Sequence, residues 1–339
     1  MRSFLLILFG AFLLGACDPK IENQIQSPTH TNKGFLIGNE GNFQWGNASL
    51  SLYDNTQNIL YKDIYSSVNK QVLGDVLQSI YSYQNLYYLV VNHSSKIEAI
   101  DAIDFKKSFT LNGFVSPRYM LAKNMQKAYV SDMQANGVYV VNLEAKKIEK
   151  TIPLAGWNEQ MILIENTLFV CSKNSNYLYL INTETDVVCD SILVAKGANS
   201  ICLDASNHIW VACGGSLTNY PGYLFQIDPS NKKVSKQFTF KAGEAPTAIA
   251  FENSNNALYY LNGGLYQLNA QDSILPSIAT IEKAKSNFYG FNIIDQQLVL
   301  SDVKDFVQSS EISMYELSGK KLKTVTGGIN ASTFVKLQH

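Results

Sequence analysis

Leu86-Tyr87-Tyr88-Leu89-Val90-Val91-Asn92 is the stretch on which the fold turns. It is continuously apolar or tyrosine rather than alternating, and a polar amide stops it, the pattern of a short strand covered on both faces. Similar runs recur at Tyr129-Val130-Ser131-Asp132, Phe169-Val170-Cys171-Ser172 and Trp210-Val211-Ala212-Cys213, and at residues 260–262 and 299–302, with residues 36–39 ahead of them. Their last positions, 39, 92, 132, 172, 213, 262 and 302, advance by 53, 40, 40, 41, 49 and 40 residues. A buried helix would need longer runs, with less Tyr, Val and Ile and less frequent Asn, Gly and Asp punctuation.

After each run comes a polar turn and a further strand, as at residues 97–101, 138–142, 177–182 and 223–228. Another strand follows, as at 147–152, 187–194 and 233–240, before a Gly- or Pro-bearing turn leads to the next. Four strand-like pieces on a period near forty are the signature of a β-propeller blade. The first unit has strands at 35–37, 49–54 and 59–65 but no innermost strand before them, whereas a lone strand at 332–337 ends the chain. That last strand is expected to complete the first blade, sealing the ring and removing exposed sheet edges. The prediction is an all-β, seven-bladed propeller forming one domain over residues 34–339, although 339 residues alone would suggest two domains. Helix is expected only as one turn at residues 72–78.

Composition limits the function. Hydrophobic residues make up 46% of the chain and charged residues 16%, and 27 basic against 28 acidic residues leave a charge of −1. No basic excess points to nucleic acid or to an anionic membrane surface. Arg2 precedes an apolar run at residues 4–16, too short to span a bilayer. The run ends Leu14-Gly15-Ala16-Cys17, which resembles the lipobox of bacterial lipoproteins. Residues 1–16 are therefore expected to be a signal peptide, Cys17 the lipidated N-terminus and residues 17–33 a flexible stalk.

In a propeller, the loops between second and third strands share a face with the loops that lead into the next blade. Trp45, Trp157, Tyr220, Phe288 and Tyr289 fall in such loops among amides and a few charges. Large rings in water call for a reason, and rings flanked by amides suit a bulky amphipathic ligand. The expected ligand-binding mouth comprises Glu40, Phe43, Trp45, His93, Arg118, Asp132, Trp157, Asn158, Lys173, Asn199, Tyr220, Phe288 and Tyr289. Asn39, Asn92, Asp132, Asn262 and Asp302 end equivalent strands, a repetition that points to blade-end hydrogen bonding.

The catalytic inventory is thin. His30, His93, His208 and His339 have no metal-ligand spacing, and there is no Gly-x-Ser-x-Gly elbow, P-loop or dinucleotide fingerprint in a suitable context. No catalytic residue, metal or cofactor is expected, and the chain does not read as an enzyme. Cys171, Cys189, Cys202 and Cys213 permit three pairings or free thiols, with Cys202 expected to face Trp210 across a hairpin.

The strings Gly34-Phe35-Leu36-Ile37-Gly38-Asn39-Glu40-Gly41-Asn42-Phe43, Leu73-Gly74-Asp75-Val76-Leu77-Gln78-Ser79-Ile80, Ser116-Pro117-Arg118-Tyr119-Met120 and Ala128-Tyr129-Val130-Ser131-Asp132 resemble the YncE-like propeller lipoproteins of Bacteroidetes. The resemblance extends over nearly all of residues 34–337. It implies a seven-bladed propeller anchored in the outer membrane, facing the cell surface or the periplasm. The relatives that capture cobalamin sit as a lid on a TonB-dependent outer-membrane transporter. The resemblance thus implies a small-molecule ligand, with a corrinoid as the specific candidate, and such a transporter as partner. The alternative is a surface interaction or adhesion propeller that meets protein or glycan.

Overall fold

A computed structural model describes residues 33–214 and 220–338. The expected signal peptide, Cys17 and the stalk through residue 32 lie outside the described residues. The apolar runs become the second strands of seven antiparallel sheets: Gly34–Asn39, Leu86–Val91, Lys127–Asp132, Thr167–Ser172, Ile209–Cys213, Ala257–Asn262 and Gln297–Asp302. Each pairs on its axial side with an innermost strand. In blade order these are Ala331–Lys336, Leu77–Tyr83, Pro117–Ala122, Asn158–Ile164, Ala198–Leu203, Ala248–Glu252 and Phe288–Ile294. The innermost strands stand side by side around the axis, so the seven sheets form a closed propeller.

The core consists of wedges between blades. Tyr87, Leu89 and Val91 pack with Leu36, Leu50 and Leu52 of blade one, whereas Tyr88 and Val90 of the same strand pack with Met120, Val130 and Val141 of blade three. Successive side chains point to opposite faces of a strand. Both faces are covered, so the run must be apolar throughout. Outer strands lack this constraint: Lys147–Pro153, Val187–Leu193 and Lys233–Thr239 each bury one side chain, Ile152, Ile192 and Phe238 respectively.

Closure follows the expected route. Ala331–Lys336 pairs antiparallel with Gly34–Asn39, placing Val335 opposite Leu36 and Phe334 opposite Ile37. Phe334 meets Phe35 edge-on at 6.1 Å between ring centres, and both are fully buried. Ser301 Oγ of blade seven donates to Ala331 O at 2.6 Å, tying the seam to the preceding blade.

Three local expectations are corrected. The strand expected at 59–65 ends at Tyr61, and the helix is Ile64–Asn69 rather than a turn at 72–78. Asp63 caps it by accepting from Ser66 N at 3.3 Å, and Ile64 and Tyr65 bury themselves against blade one. The region expected to be helical contains Gly74 at φ +134, where an added Cβ would lie 2.5 Å from Ser94 Oγ, and from Leu77 onward it is strand. Blade six has three strands rather than four. Its outermost strand is Gly264–Asn269, beyond which only Ile281 bridges back to Leu265. Pro276 occupies the chain where a fourth strand would run, and proline offers no N–H to a ladder.

The four described cysteines are free, and Cys202 does pair with Trp210 across its hairpin. No helix among the described residues is long and apolar enough to cross a membrane.

Because Phe334 seals the ring from the last strand, Phe334→Ala should lower unfolding free energy by about 3–5 kcal/mol, measured by urea denaturation. A loss below about 1 kcal/mol would mean that the seam does not depend on this packing.

Candidate functional site

The site is built where second strands end. In blade one, Glu40 N donates to Asn330 O at 3.0 Å, and the same backbone bond recurs from Met133 to Ser116 (2.9 Å), Lys173 to Trp157 (2.8 Å), Gly214 to Gly197 (2.8 Å) and Val303 to Asn287 (3.1 Å). Blade two forms its counterpart from Asn92 N to Val76 O at 2.8 Å. Each bond ties the end of a second strand to the chain just ahead of the innermost strand. The polar strand-end side chains reinforce it, as expected. Asn39 Oδ1 accepts from Gly328 N (3.1 Å), Asp132 Oδ2 from Ser116 N (2.7 Å), Asn262 Oδ1 from Ala245 N (3.0 Å) and Asp302 Oδ1 from Asn287 N (2.9 Å). Asn92 Nδ2 instead reaches across to Pro117 O of blade three at 2.9 Å.

Immediately past this latch, the innermost strands bulge. Pairing shifts between Leu77 and Ser79, Pro117 and Met120, Asn158 and Met161, Ala198 and Ser200, and Phe288 and Phe291, and on the last strand between Ala331 and Thr333. A bulge inserts residues that the ladder does not claim and re-aims their side chains. The residues so released include Gln78, Arg118, Glu159, Asn199, Tyr289 and Ser332. All six line one cavity of about 430 Å³, and Thr247 joins them from blade six.

Charge there is paired tightly. Arg118 Nε and Nη2 donate to the two carboxylate oxygens of Glu159 at 3.1 and 3.0 Å, and Nη1 donates to Gln78 Oε1. The Arg118 and Glu159 side chains are 15% and 3% exposed. Burial works against the Arg118 charge, but Glu159 outweighs it and the guanidinium pKa rises. Trp157 supports two cations, with Arg118 Cζ 5.4 Å and Lys173 Nζ 4.2 Å from its ring centre. Burial lowers the Lys173 pKa despite the attraction of Glu159. Across the cavity, Tyr289 OH donates to the Glu40 carboxylate at 3.1 and 3.2 Å. Burial raises the Glu40 pKa, although the hydrogen bond from Tyr289 pulls it down. Burial, aided by Glu159, pushes the Tyr119 phenol up to about 12. The mouth thus holds two carboxylates, two cations, several amides and phenols, with aromatic walls from Phe288, Phe291 and Phe334. Such a lining can hydrogen-bond a ligand in both directions and cover its apolar edges.

Of the residues expected at the mouth, Glu40, Arg118, Lys173, Asn199, Phe288 and Tyr289 line the cavity, and Trp157 supports two of them. Phe43 and His93 pair with each other on the loops, at 4.5 Å between ring centres, and Trp45 is 75% exposed; none of the three lines the cavity. Tyr220 lies at a separate shallow pocket with Lys196 and Val194. Asp132 and Asn158 are fully buried and fasten loops: Asp132 accepts from four backbone N–H groups, and Asn158 Nδ2 donates to the carbonyls of Gly137, Leu154 and Gly156. Gln78, Tyr119, Glu159, Gln160 and Ser332 line the cavity but were not expected there. Their signal is periodic, since Gln78, Arg118, Glu159 and Asn199 follow one another at 40, 41 and 40 residues. No group of three or more His, Cys, Asp or Glu placed to hold a metal occurs among the described residues.

A family model described as a domain of unknown function (DUF5074) matches residues 33–332. Among solved structures, the fold is similar to a quinonprotein alcohol dehydrogenase-like protein from Bacteroides thetaiotaomicron, with TM-score 0.73 and 14% identity over 91% of this chain and 79% of that one. Hydrazine synthase from Kuenenia stuttgartiensis aligns at TM-score 0.58 and 11% identity, over 75% of this chain and 87% of that one. The computationally designed Ika8 protein aligns at 0.58 and 8%, over 92% and 98%. At these identities the likeness is one of fold. Among curated proteins, glutathione biosynthesis bifunctional protein GshAB of Pasteurella multocida is 22% identical over 210 residues, 61% of this chain. The match spans 25% of that protein's length.

The raised Glu40 pKa fixes a pH dependence. The folded state holds this proton above the ordinary value of 4.5, so Glu40's contribution is most favourable below that pH and is lost as pH rises through the folded pKa. Glu40→Gln, which keeps an acceptor for Tyr289, should therefore stabilise the protein relative to wild type at pH 7 and lose that advantage near pH 4. Paired urea titrations at the two pH values check the sign, and an advantage that grew on acidification would contradict it.

Proposed function

The chain belongs to the DUF5074 family, and we propose that it is a non-enzymatic, lipid-anchored capture protein whose axial mouth binds a bulky amphipathic small molecule. The observation that carries this reading is the convergence of bulged inner-strand residues on one cavity, with charges that balance. Two carboxylates and two cations favour a ligand without large net charge, presenting donors and acceptors to amide and phenol partners. A corrinoid is the candidate, because its rim of amide side arms matches such a lining. A cavity of about 430 Å³ would seat part of the macrocycle's edge and leave the rest above the mouth. The lipobox-like Leu14-Gly15-Ala16-Cys17 and the resemblance to YncE-like lipoproteins support an outer-membrane location and a TonB-dependent transporter as recipient.

A second reading, a surface interaction propeller, is favoured by the exposed loop residues Phe43, Trp45, Phe306 and Val307. Apolar groups on the loop face suit contact with another protein. The two readings are compatible if those loops dock on the transporter while the mouth holds the ligand.

Titrating cyanocobalamin against intrinsic fluorescence should quench Trp157, and Trp157→Phe should remove most of the change. Arg118→Gln and Asn199→Ala should each weaken binding by about tenfold in calorimetry. Binding of haem or a ferric siderophore instead would discard the corrinoid and keep the mouth. Binding that is indifferent to all three substitutions would discard the mouth itself.

A further inference from the structure

A smaller cavity, of about 190 Å³, lies along the innermost strands of blades two, three and four and shares Tyr119 and Gln160 with the axial mouth. Its lining directly follows the bulged residues in the chain: Ser79 comes after Gln78, Tyr119 after Arg118 and Gln160 after Glu159. These strands run away from the mouth, so the cavity begins one residue below the charged ring and reaches Tyr81 and Leu121 at its far end. A strand rises about 3.3 Å per residue, which makes the stretch from Ser79 to Tyr81 about 7 Å deep.

The chemistry changes over that distance. Glu40, Arg118, Glu159 and Lys173 line the mouth, whereas no charged residue lines the lower cavity and most of its wall is carbon. Ile80, Met120 and Met161 belong to three different wedges of the core, so the cavity collects their ends where the wedges meet the axis. The polar side chains between them are already engaged. Ser79 Oγ donates to Arg118 O at 2.7 Å, Gln160 Oε1 accepts from Ser200 Oγ and Ile201 N at 3.0 Å each, and Tyr81 OH accepts from Ala122 N at 3.1 Å. Water there finds few remaining partners. Methionine side chains adapt to an apolar group that takes its place.

We infer that this cavity is the lower half of the ligand site: the molecule held at the mouth carries a short, uncharged apolar arm that passes Tyr119 and Gln160 and ends against Ile80, Met120, Leu121 and Met161. The inference rests on the mouth being the ligand site and adds the class of ligand, a neutral or zwitterionic polar head with one slender alkyl arm. Head and arm are then recognised at two levels of the same strands, charge by the bulged residues and apolar length by the residues that follow them. A depth of about 7 Å suits a few methylenes and excludes a long acyl tail.

The test is calorimetric titration of the full chain with alkyl dimethylammoniopropanesulfonates, which keep one zwitterionic head while the alkyl chain grows from ethyl through butyl and hexyl to decyl. Affinity should rise about twofold to fourfold per methylene as far as hexyl and then level off. Leu121→Gln, which puts an amide into the lower cavity, should abolish that rise and leave the ethyl member unchanged, whereas Arg118→Gln should weaken every member by a similar factor. Leu121→Ala, which enlarges the cavity, should carry the rise past hexyl, and thermal unfolding checks that the variants fold. Equal affinity for the ethyl and hexyl members, both weakened by Arg118→Gln, would overturn the arm and leave the mouth standing. A rise with chain length that neither Leu121 variant alters would place the tail elsewhere and overturn the inference as well. Binding of no member, or binding indifferent to Arg118→Gln, would overturn mouth and arm together.

Discussion

The architecture depends on a backbone hydrogen bond that recurs in six of the seven blades, from the residue that follows the second strand to the residue that precedes the innermost one, and in blade six Asn262 Oδ1 does the same by accepting from Ala245 N. A propeller blade must turn its chain sharply between its outer edge and the axis of the next blade, and the turn leaves backbone groups buried at the inner end. A satisfied bond contributes about 0.5–1.5 kcal/mol net, but an orphaned buried partner costs about 1–3 kcal/mol. The requirement not to leave that group unpaired is thus the stronger constraint. It accounts for fully buried Asn39 and Asp132, residue types that seldom sit wholly inside unless hydrogen-bonded. With the strand end pinned, the next residue cannot rejoin the ladder in register, and the bulge follows.

The bulge links fold to site. The latch belongs to the scaffold and repeats, whereas the side chain just beyond it is free to vary from blade to blade: Gln78, Arg118, Glu159, Asn199, Tyr289 and Ser332 share one geometry and little chemistry. Tolerance at the rim has a related origin. Outer strands such as Val187–Leu193 bury a single side chain, so a blade that gives one up loses little of the wedge packing. Blade six does so, and Leu275 and Ile281 cover part of what is uncovered.

This division explains what could be read from the sequence. The seven buried runs were legible because strands covered on both faces cannot hide polar residues, and Leu86–Val91 shows the rule in six consecutive positions. Seam closure was legible from strand counting alone. The helix was misplaced because Asp63 acts as its cap from a left-handed conformation, φ 45, which the sequence does not announce. The cavity lining was legible where loops carried it, as at Glu40 and Lys173, and only in part where a shift of register carried it: Arg118, Asn199 and Tyr289 stood among the expected residues, Gln78, Glu159 and Ser332 did not. Glu159 adjoins Trp157 and Asn158, yet only the pairing shift between Asn158 and Met161 turns it toward the axis while Asn158 turns into the loop. A slip of one residue exchanges the two faces of a strand. Face assignments near a bulge therefore need the pairing itself.

The Arg118–Glu159 pair shows how the mouth keeps capacity while holding shape. A buried ion pair is weak evidence for stability, since removing two charges from water offsets much of their attraction. Its geometry argues for preorganisation instead. Of the five N–H groups on a guanidinium, the described contacts engage one on each nitrogen of Arg118, leaving one on each terminal nitrogen. Lys173 rests on the opposite side of the same problem: its ammonium lies 4.2 Å from the Trp157 ring centre and forms no ion pair among the described residues. Arg118 is locked by Glu159, Gln78 and the Trp157 face in the unliganded protein, so ordering it would cost a ligand of the proposed kind little. Selectivity would then come from matching a fixed arrangement of two guanidinium donors, one ammonium and the Tyr289–Glu40 pair, and a ligand unable to accept from Arg118 would leave buried donors unpaired.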